Sequence, residues 1–379
     1  LLIGTLLPGL ACSRATLPGK WVQLDTGFPD AFYSVNFVDE KTGWINAQAD
    51  RSSKPEDEDQ KNANGNVAAS SANKNAAPKK AGKVADDPLK LNQGFEVLRT
   101  TDGGDTWKQI PDQFKYKIRS AWFVDVNTGW ALTIDRDILG TSDGGTTWTV
   151  QRKAGKVKLK LFGNRLNPEM EQPDQIERLY FVDSRRGWAW GGGKVDRYTE
   201  QPGIFLATLD GGETWNQVAY PFSQNIYSVF FLDGEHIWAS TEGDGLYRSI
   251  DGGLNWSKIQ SKLPEDVFRA IFFLDPNNGW IVGRSGRIAK TTDGGRSWEK
   301  MYMINLEYEM RDIFFTDKDH GWAAGSDGAV LYTPDAGETW LSVTPAVQDE
   351  LLDLAFVNGR LGWAVGLHGA IVRYEASGN

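Results

Sequence analysis

The chain has 379 residues, of which 24% are charged and 12% aromatic, a formal net charge of −9, one cysteine and three histidines. An acidic surface disfavours the phosphate backbone of nucleic acid, a lone cysteine excludes an intrachain disulfide, and scattered histidines argue against a metal centre. Sixteen tryptophans ask for a structural reason, and their spacing supplies one.

Leu1–Ala11 is an apolar run of signal-peptide core length that ends in small residues before Cys12. It is too short to cross a bilayer as a helix. Gly9-Leu10-Ala11-Cys12 reads as a lipoprotein cleavage site with Cys12 as the lipidated residue, the alternatives being an ordinary signal peptide or a buried free thiol. Residues 1–19 are therefore expected to be leader and linker, and the protein to be exported to the periplasm or cell envelope, with a lipid anchor as its tie to the membrane.

From residue 20 onward two motifs alternate. The first is a Phe-x-Asp turn followed by Gly-Trp, at Phe37/Trp44, Phe123/Trp130, Phe181/Trp188, Phe273/Trp280 and, more loosely, Phe231/Trp238, Phe315/Trp322 and Phe356/Trp363. The second is an octet of the type TTDGGRSW, carrying Asp102, Asp143, Asp210, Asp251, Asp293 and Asp335. Its Asp can accept backbone N–H bonds within a tight turn, its glycines allow positive φ, and its Trp opens the next strand. The basic period is about 42 residues, the size of a four-stranded propeller blade. In one unit, strand A is Arg269–Leu274, strand B Trp280–Gly283 and strand C Arg287–Thr291, with strand D opening at Trp298.

The ends of the chain complement one another. Trp21-Val22-Gln23-Leu24 resembles the D strands at Trp107 and Trp215, whereas the last repeat, Leu352–Glu375, lacks a D strand. Pairing the two closes a ring of seven blades, so the fold expected for 20–379 is an all-β seven-bladed β-propeller. A monomer is expected.

Because successive strands run antiparallel, B–C and D–A connections share one face and A–B and C–D turns share the other. All three length excesses fall on the first face. Gln48–Gln93 is a B–C insertion rich in Lys, Asp, Glu, Asn, Ala and Ser, expected to be disordered (48–93); Arg152–Gln175 is a basic D–A insertion (152–175); Gly191–Pro202 is a B–C loop with Lys194 and Arg197. Elaborated loops on a rigid frame carry function, and arginines gather on the same face. Arg119, Arg269 and Arg311 share one register at the start of strand A, and Arg284 and Arg287 flank a B–C hairpin. These five are the candidate partner-binding residues, for an acidic or membrane-protein segment; the competing reading pairs them with nearby carboxylates, among them Asp135, Asp137, Glu307 and Glu309. The octet aspartates read as structural, and no phosphate loop, Gly-x-Ser-x-Gly element or Cys/His pair is present. No cofactor, metal or catalytic residue is therefore expected.

The Phe-Val-Asp…Gly-Trp, Gly-x-Ile and Thr-x-Asp-Gly-Gly-x-Thr-Trp elements resemble those of the photosystem II assembly/stability factor family and its relatives outside photosynthesis, the BNR/Asp-box repeat proteins. The resemblance covers about Trp21 to Tyr374. It implies a non-enzymatic propeller, lumenal in photosynthetic members, that holds a newly made reaction-centre subunit against an arginine-rich face. The matching positions here are Arg269, Arg284, Arg287 and Arg311. Asp boxes also occur in sialidases, so a sialidase-like glycosidase is the alternative. Its Phe/Tyr-Arg-Ile-Pro signature is absent, although Tyr33 and Tyr227 occupy the arginine register. The expectation is an exported, non-catalytic scaffold that binds a protein partner through its loop face.

Overall fold

The computed structural model describes residues 18–28, 30–48, 94–158, 160–161, 171–196, 199–222, 226–241, 245–260, 268–301, 308–343 and 347–377. Cys12 and all of the 48–93 insertion except Gln48 lie outside the described residues. Seven four-stranded antiparallel units follow one another, spanning 31–109, 118–152, 176–217, 226–259, 268–301, 310–343 and 351–376, and are numbered blades 1 to 7. Blade 7 takes its outer strand from Gly19–Gln23, which pairs with Ile371–Ala376 so that Gly19 faces Ala376 and Gln23 faces Val372. The expected closure is therefore present. In blade 5, strands A to D are Phe268–Phe273, Gly279–Gly283, Ile288–Thr291 and Glu299–Met301, within a residue or two of expectation.

The Phe…Gly-Trp spacing has a cause that spans two blades. Each strand-B tryptophan stacks on the strand-A phenylalanine of the next blade: Trp44 on Phe123 at 3.8 Å, Trp130 on Phe181 at 3.4 Å, Trp238 on Phe273 at 3.7 Å and Trp280 on Phe315 at 3.6 Å. Trp363 of blade 7 completes the circuit on Phe37 of blade 1, with centroids 3.4 Å apart. The other face of the same phenylalanine covers the glycine before its own tryptophan. A Cβ on Gly279 would meet the Phe273 ring at 2.5 Å, and one on Gly129 the Phe123 ring at 2.3 Å. Glycine at that place lets the ring lie flat between two blades. Blade 4 carries Ile237 instead, with the Trp188–Phe231 pair at 4.7 Å and 29°, while the Trp322–Phe356 pair, with Gly362 in place, stands at 5.9 Å and 18°.

The indoles also tie the blades by hydrogen bonds. Nε1 of Trp130, Trp188, Trp238, Trp280 and Trp363 donates to the octet carbonyl of Gly211, Gly252, Gly294, Ala336 and Gly103, each in the following blade. Trp322 has no such octet ahead of it, since blade 7 borrows its outer strand, and Trp21 packs edge-on against it at 5.5 Å. Tryptophan is thus used as mortar between blades.

Within each octet the aspartate works as a turn clamp. Asp293 accepts from the Ser297 backbone N–H at 2.9 Å, the Ser297 hydroxyl at 2.6 Å and the Thr291 hydroxyl at 2.9 Å. The same bonds recur at Asp102, Asp143, Asp210 and Asp335. The Thr214 hydroxyl and backbone N–H, with the Thr208 hydroxyl, hold Asp210 down at about 2. Ala336 stands where the other octets have glycine and is forced to φ 60°. A left-handed alanine costs about 1 kcal/mol relative to glycine. Ala336→Gly is therefore expected to stabilise the protein by about that amount, read as a raised midpoint in denaturant; a fall in the midpoint would contradict the strain.

Two expectations about the loops need correction. Gly191–Pro202 is not a loop, because strands Gly187–Asp196 and Thr199–Thr208 continue through it as one long hairpin. The glycines are absorbed by register shifts between Gly191 and Gly193 and between Lys194 and Asp196. The basic insertion 152–175 likewise contains strands, Lys156–Lys158 pairing with Glu171–Pro173, while Lys160–Leu161 pairs with the blade 3 hairpin at Glu200 and Thr199.

Candidate functional site

Every strand A opens with the same irregularity. At this point two residues of strand A stand against one of strand B, and the residues left out of the ladder are Tyr33, Arg119, Glu177, Tyr227, Arg269, Arg311 and Leu352. A β-bulge re-aims the extra side chain and twists the strand locally. The arginine register seen in the sequence is therefore a ring of bulge positions around the loop face of the disc.

Blades 5 and 6 bring three of the expected arginines onto one carboxylate. Glu309 lies 2.6 Å from Arg269 Nε, 3.3 Å from Arg311 Nη1 and 3.6 Å from Arg284 Nε. Arg311 also donates through Nε to Glu350. Burial alone would raise the Glu309 carboxyl, but the Arg269 hydrogen bond and the charges of Arg311, Arg269 and Arg284 outweigh it, so the group lies below its usual value. The Arg269 guanidinium lies over the Tyr227 ring, 4.8 Å from its centroid. Arg284 keeps 53% of its side chain exposed. Arg287, half-buried, ends the same B–C turn.

The backbone holds this cluster rigidly. The Ser326 N–H donates to the Glu309 carbonyl at 2.9 Å, and the Glu309 N–H donates to the Ser326 hydroxyl at 3.0 Å. Gly286, in the turn between Arg284 and Arg287, donates to the Tyr308 carbonyl at 2.6 Å. Ser285 within that turn has φ 58°, a conformation shared by Asp327 and His368 in the matching turns of blades 6 and 7. Of these three turns only that of blade 5 carries arginines; the matching positions are Ser326 and Ala329 in blade 6 and Leu367 and Ala370 in blade 7.

Arg119 is elsewhere. It sits in blade 2, stacked over Phe95 at 5.2 Å, and burial followed by the neighbouring Arg136 pushes its guanidinium below the usual value. The arginines thus divide between blades 5–6 and blade 2. The competing reading is right in part, since Glu309 was among the carboxylates named as partners, whereas Glu350 was not. The basic insertion is partly neutralised too: Arg152 pairs with Asp174, and Lys153 with Asp137 at 2.6 Å.

The residue after each bulge forms a second ring: Ser34, Ser120, Arg178, Ser228, Ala270, Asp312 and Asp353. The two aspartates lie close enough for each to act on the other's ionisation. Asp312 Oδ2 accepts from the Leu354 N–H, and Asp353 Oδ2 from the Val35 N–H, each at 2.8 Å. They therefore stitch blade 6 to blade 7 and blade 7 to blade 1. Burial pushes Asp312 up to about 6, against its hydrogen bonds from Leu354 and Ile313. Burial first, then the charge of Asp312, raises Asp353 well above its usual value, and the Val35 N–H and Arg178 offset only part of this. A sequence signal existed, in two consecutive repeats with Asp where the others have Ser, Ala or Arg.

The histidines hold turns: His236 faces Asp233 at 3.0 Å, His320 faces Asp317 at 2.9 Å and His368 faces Asp349 at 2.8 Å. Among the described residues no group of three or more His, Cys, Asp or Glu could hold a metal. Tyr33 and Tyr227 belong to blades 1 and 4, so the sialidase-like alternative gains no shared tyrosine site from them.

The family model described as photosynthesis system II assembly factor YCF48 matches residues 209–306 and 300–375. Among solved structures, YCF48 bound to a D1 peptide is 18% identical with a TM-score of 0.64, covering 96% of this chain and 98% of that one. YCF48 from Cyanidioschyzon merolae is 17% identical with a TM-score of 0.63, covering 94% and 98%. A virginiamycin B lyase from Staphylococcus aureus is 10% identical with a TM-score of 0.62, covering 94% and 99%. No curated protein matches the sequence. The structural likenesses speak for the fold, which carries binding proteins and a lyase alike. The octets and Gly-Trp pairs of residues 209–375, where the family model matches, and the closed seven-bladed ring support a BNR-repeat β-propeller similar to the photosystem II assembly factor-like family.

Proposed function

We propose that the protein is an exported, non-catalytic scaffold, tied to the membrane through Cys12, that holds a carboxylate-bearing segment of a protein partner against the arginines of blades 5 and 6. The observation that carries this reading is the convergence of Arg269, Arg284 and Arg311 on Glu309. Three guanidinium groups around one carboxylate, with a second carboxylate at the rim, leave positive charge in a chain that is acidic overall. Arginine pairs with carboxylate through two parallel bonds, and a cluster on rigid turns loses little entropy in doing so. A YCF48 structure contains a bound D1 peptide, which supports a peptide as the ligand class. The sialidase-like reading is weaker, because the carboxylate that these arginines hold is the chain's own.

The test is affinity capture from membrane extracts with the intact chain. Changing Arg284 and Arg287 together to Glu is expected to abolish a salt-sensitive capture by protein that circular dichroism shows to be folded. Lys318→Glu, in an A–B turn on the other face and bonded to Asp319, is the control and should retain capture. Loss with Lys318→Glu and retention with the double arginine change would reverse the assignment of faces.

A further inference from the structure

The face bearing the Asp octets has an uneven chemistry that folding does not explain. Among the described residues six large apolar side chains are exposed, and four of them, Val126, Leu209, Ile250 and Leu254, stand on this face in blades 2 to 4. Leu209 and Ile250 occupy the second octet position, where other octets have Thr101, Ser142, Thr292 and Pro334. Leu254 occupies the sixth, where others have Asp105, Thr146, Glu213, Arg296 and Glu338. Leu209, Ile250 and Leu254 are each more than 60% exposed. These are tips of rigid turns, not walls of a groove. Leu209 borders a shallow depression with Asp183, Ser184, Arg185 and Arg186, and Arg185 is exposed beside it.

The N-terminal segment enters the disc on the same face. The Pro18 carbonyl accepts from Ser377, and the Ala376 N–H donates to Arg360 in the A–B turn of blade 7. A–B turns lie with the octets, as the bonds from Gly294 to Asn277 and from Gly252 to Glu235 show. Residues 1–17, which include the apolar run Leu1–Ala11, therefore join the disc here. Cys12 lies six residues from Pro18, a reach of about 20 Å at most. Blade 7 and blades 3–4 are on opposite sides of a seven-bladed ring.

We propose that the octet face of blades 2 to 4 docks on a lipid bilayer, with Leu209, Ile250 and Leu254 inserted at the boundary between headgroups and acyl chains. Aliphatic tips on rigid turns suit that boundary, since the tip enters the chains while the polar turn stays among the headgroups. Together with the N-terminal segment on the far rim, this contact lays the disc flat. The arginine face is then turned away from the membrane, toward whatever protrudes from it.

The test uses the full chain and vesicles of equal parts phosphatidylethanolamine and phosphatidylglycerol. In a Cys12→Ser background, a bimane label is placed through Ile250→Cys or, on the opposite face, through Ser285→Cys. Lipids carrying a doxyl quencher should quench the label at 250 and leave that at 285 bright. Replacing Leu209, Ile250 and Leu254 together by Ser should weaken vesicle binding about tenfold or more, with the fold unchanged by circular dichroism. Equal quenching at both sites, binding unaffected by the triple change, or no vesicle binding by the intact chain would each overturn the proposal. So would a dimer in vesicle-free solution that the triple change dissolves, because the face would then be meeting a second copy.

Discussion

Deleting residues up to Thr26 is expected to abolish the cooperative thermal transition, with aggregation in its place. Among the described residues Gly19–Gln23 is the only partner that Ile371–Ala376 has on its outer side, and Leu24 adds a bond to the Ile371 carbonyl at 3.0 Å. Trp21 meets Trp322 and Tyr374 at 5.5 Å and Phe356 at 6.1 Å, so its loss opens the seam between blades 6 and 7. An unpaired edge that carries Val372 and Tyr374 is also a template for other chains. Trp21→Ala provides the graded version and should cost about 3–5 kcal/mol. Calorimetry decides the matter: a truncated chain that melts within a few degrees of the intact one would mean that the ring is held by its other contacts.

The second large effect is one of pH, and its direction is unusual. Asp312 in the folded protein titrates near 6, above the 3.8 of a free carboxyl, and Asp353 is raised as well. A native state that binds protons more tightly than the unfolded chain gains stability as pH falls. The penalty of ionising Asp312 should therefore appear as pH rises from about 4 through about 6, at on the order of 3 kcal/mol, and ionising Asp353 should add to it in the same direction. The octet and turn aspartates act in the opposite sense. Their lowered values, down to about 2 for Asp210, give stability above pH 4 that is lost as pH falls through them. Stability should peak near pH 5. Changing both Asp312 and Asp353 to Asn keeps acceptors for the Leu354 and Val35 N–H groups and removes the charge. The double variant should be more stable than the parent at pH 8 and nearly equal to it at pH 4. The histidines are common to both proteins and cancel in the difference. If the two proteins show parallel stability curves in denaturant between pH 4 and 8, the pair carries no such penalty.

The repeat, the blade count and the closure were legible because each is written locally, in octets, Gly-Trp pairs and two unfinished ends. What escaped was whatever joins one blade to the next. Phe273 and Gly279 announce a turn, but the reason for the glycine is a ring held between its own backbone and Trp238 of blade 4. The long hairpin of blade 3 was hidden because Gly191, Gly192 and Gly193 read as a loop, whereas pairing continues past them through register shifts. At the candidate site the five arginines were found, but not their division between blades 5–6 and blade 2. Glu309 and Glu350 each precede strand A at the same register and each reach back to the arginine of the blade before. Repeat arithmetic could have matched those two carboxylates. It could not have ranked Arg284, half in solvent, against Arg269, held under a carboxylate.

The bulge at the head of every strand A has a consequence for how such a protein can change. Each bulge residue stands outside the ladder, so replacing it breaks no strand pair and no interblade tryptophan stack. The mouth of the ring is thus a row of seven sockets in a fixed frame, filled here with Tyr33, Arg119, Glu177, Tyr227, Arg269, Arg311 and Leu352. Specificity can be rewritten one socket at a time, while the frame that makes the disc stable stays as it is.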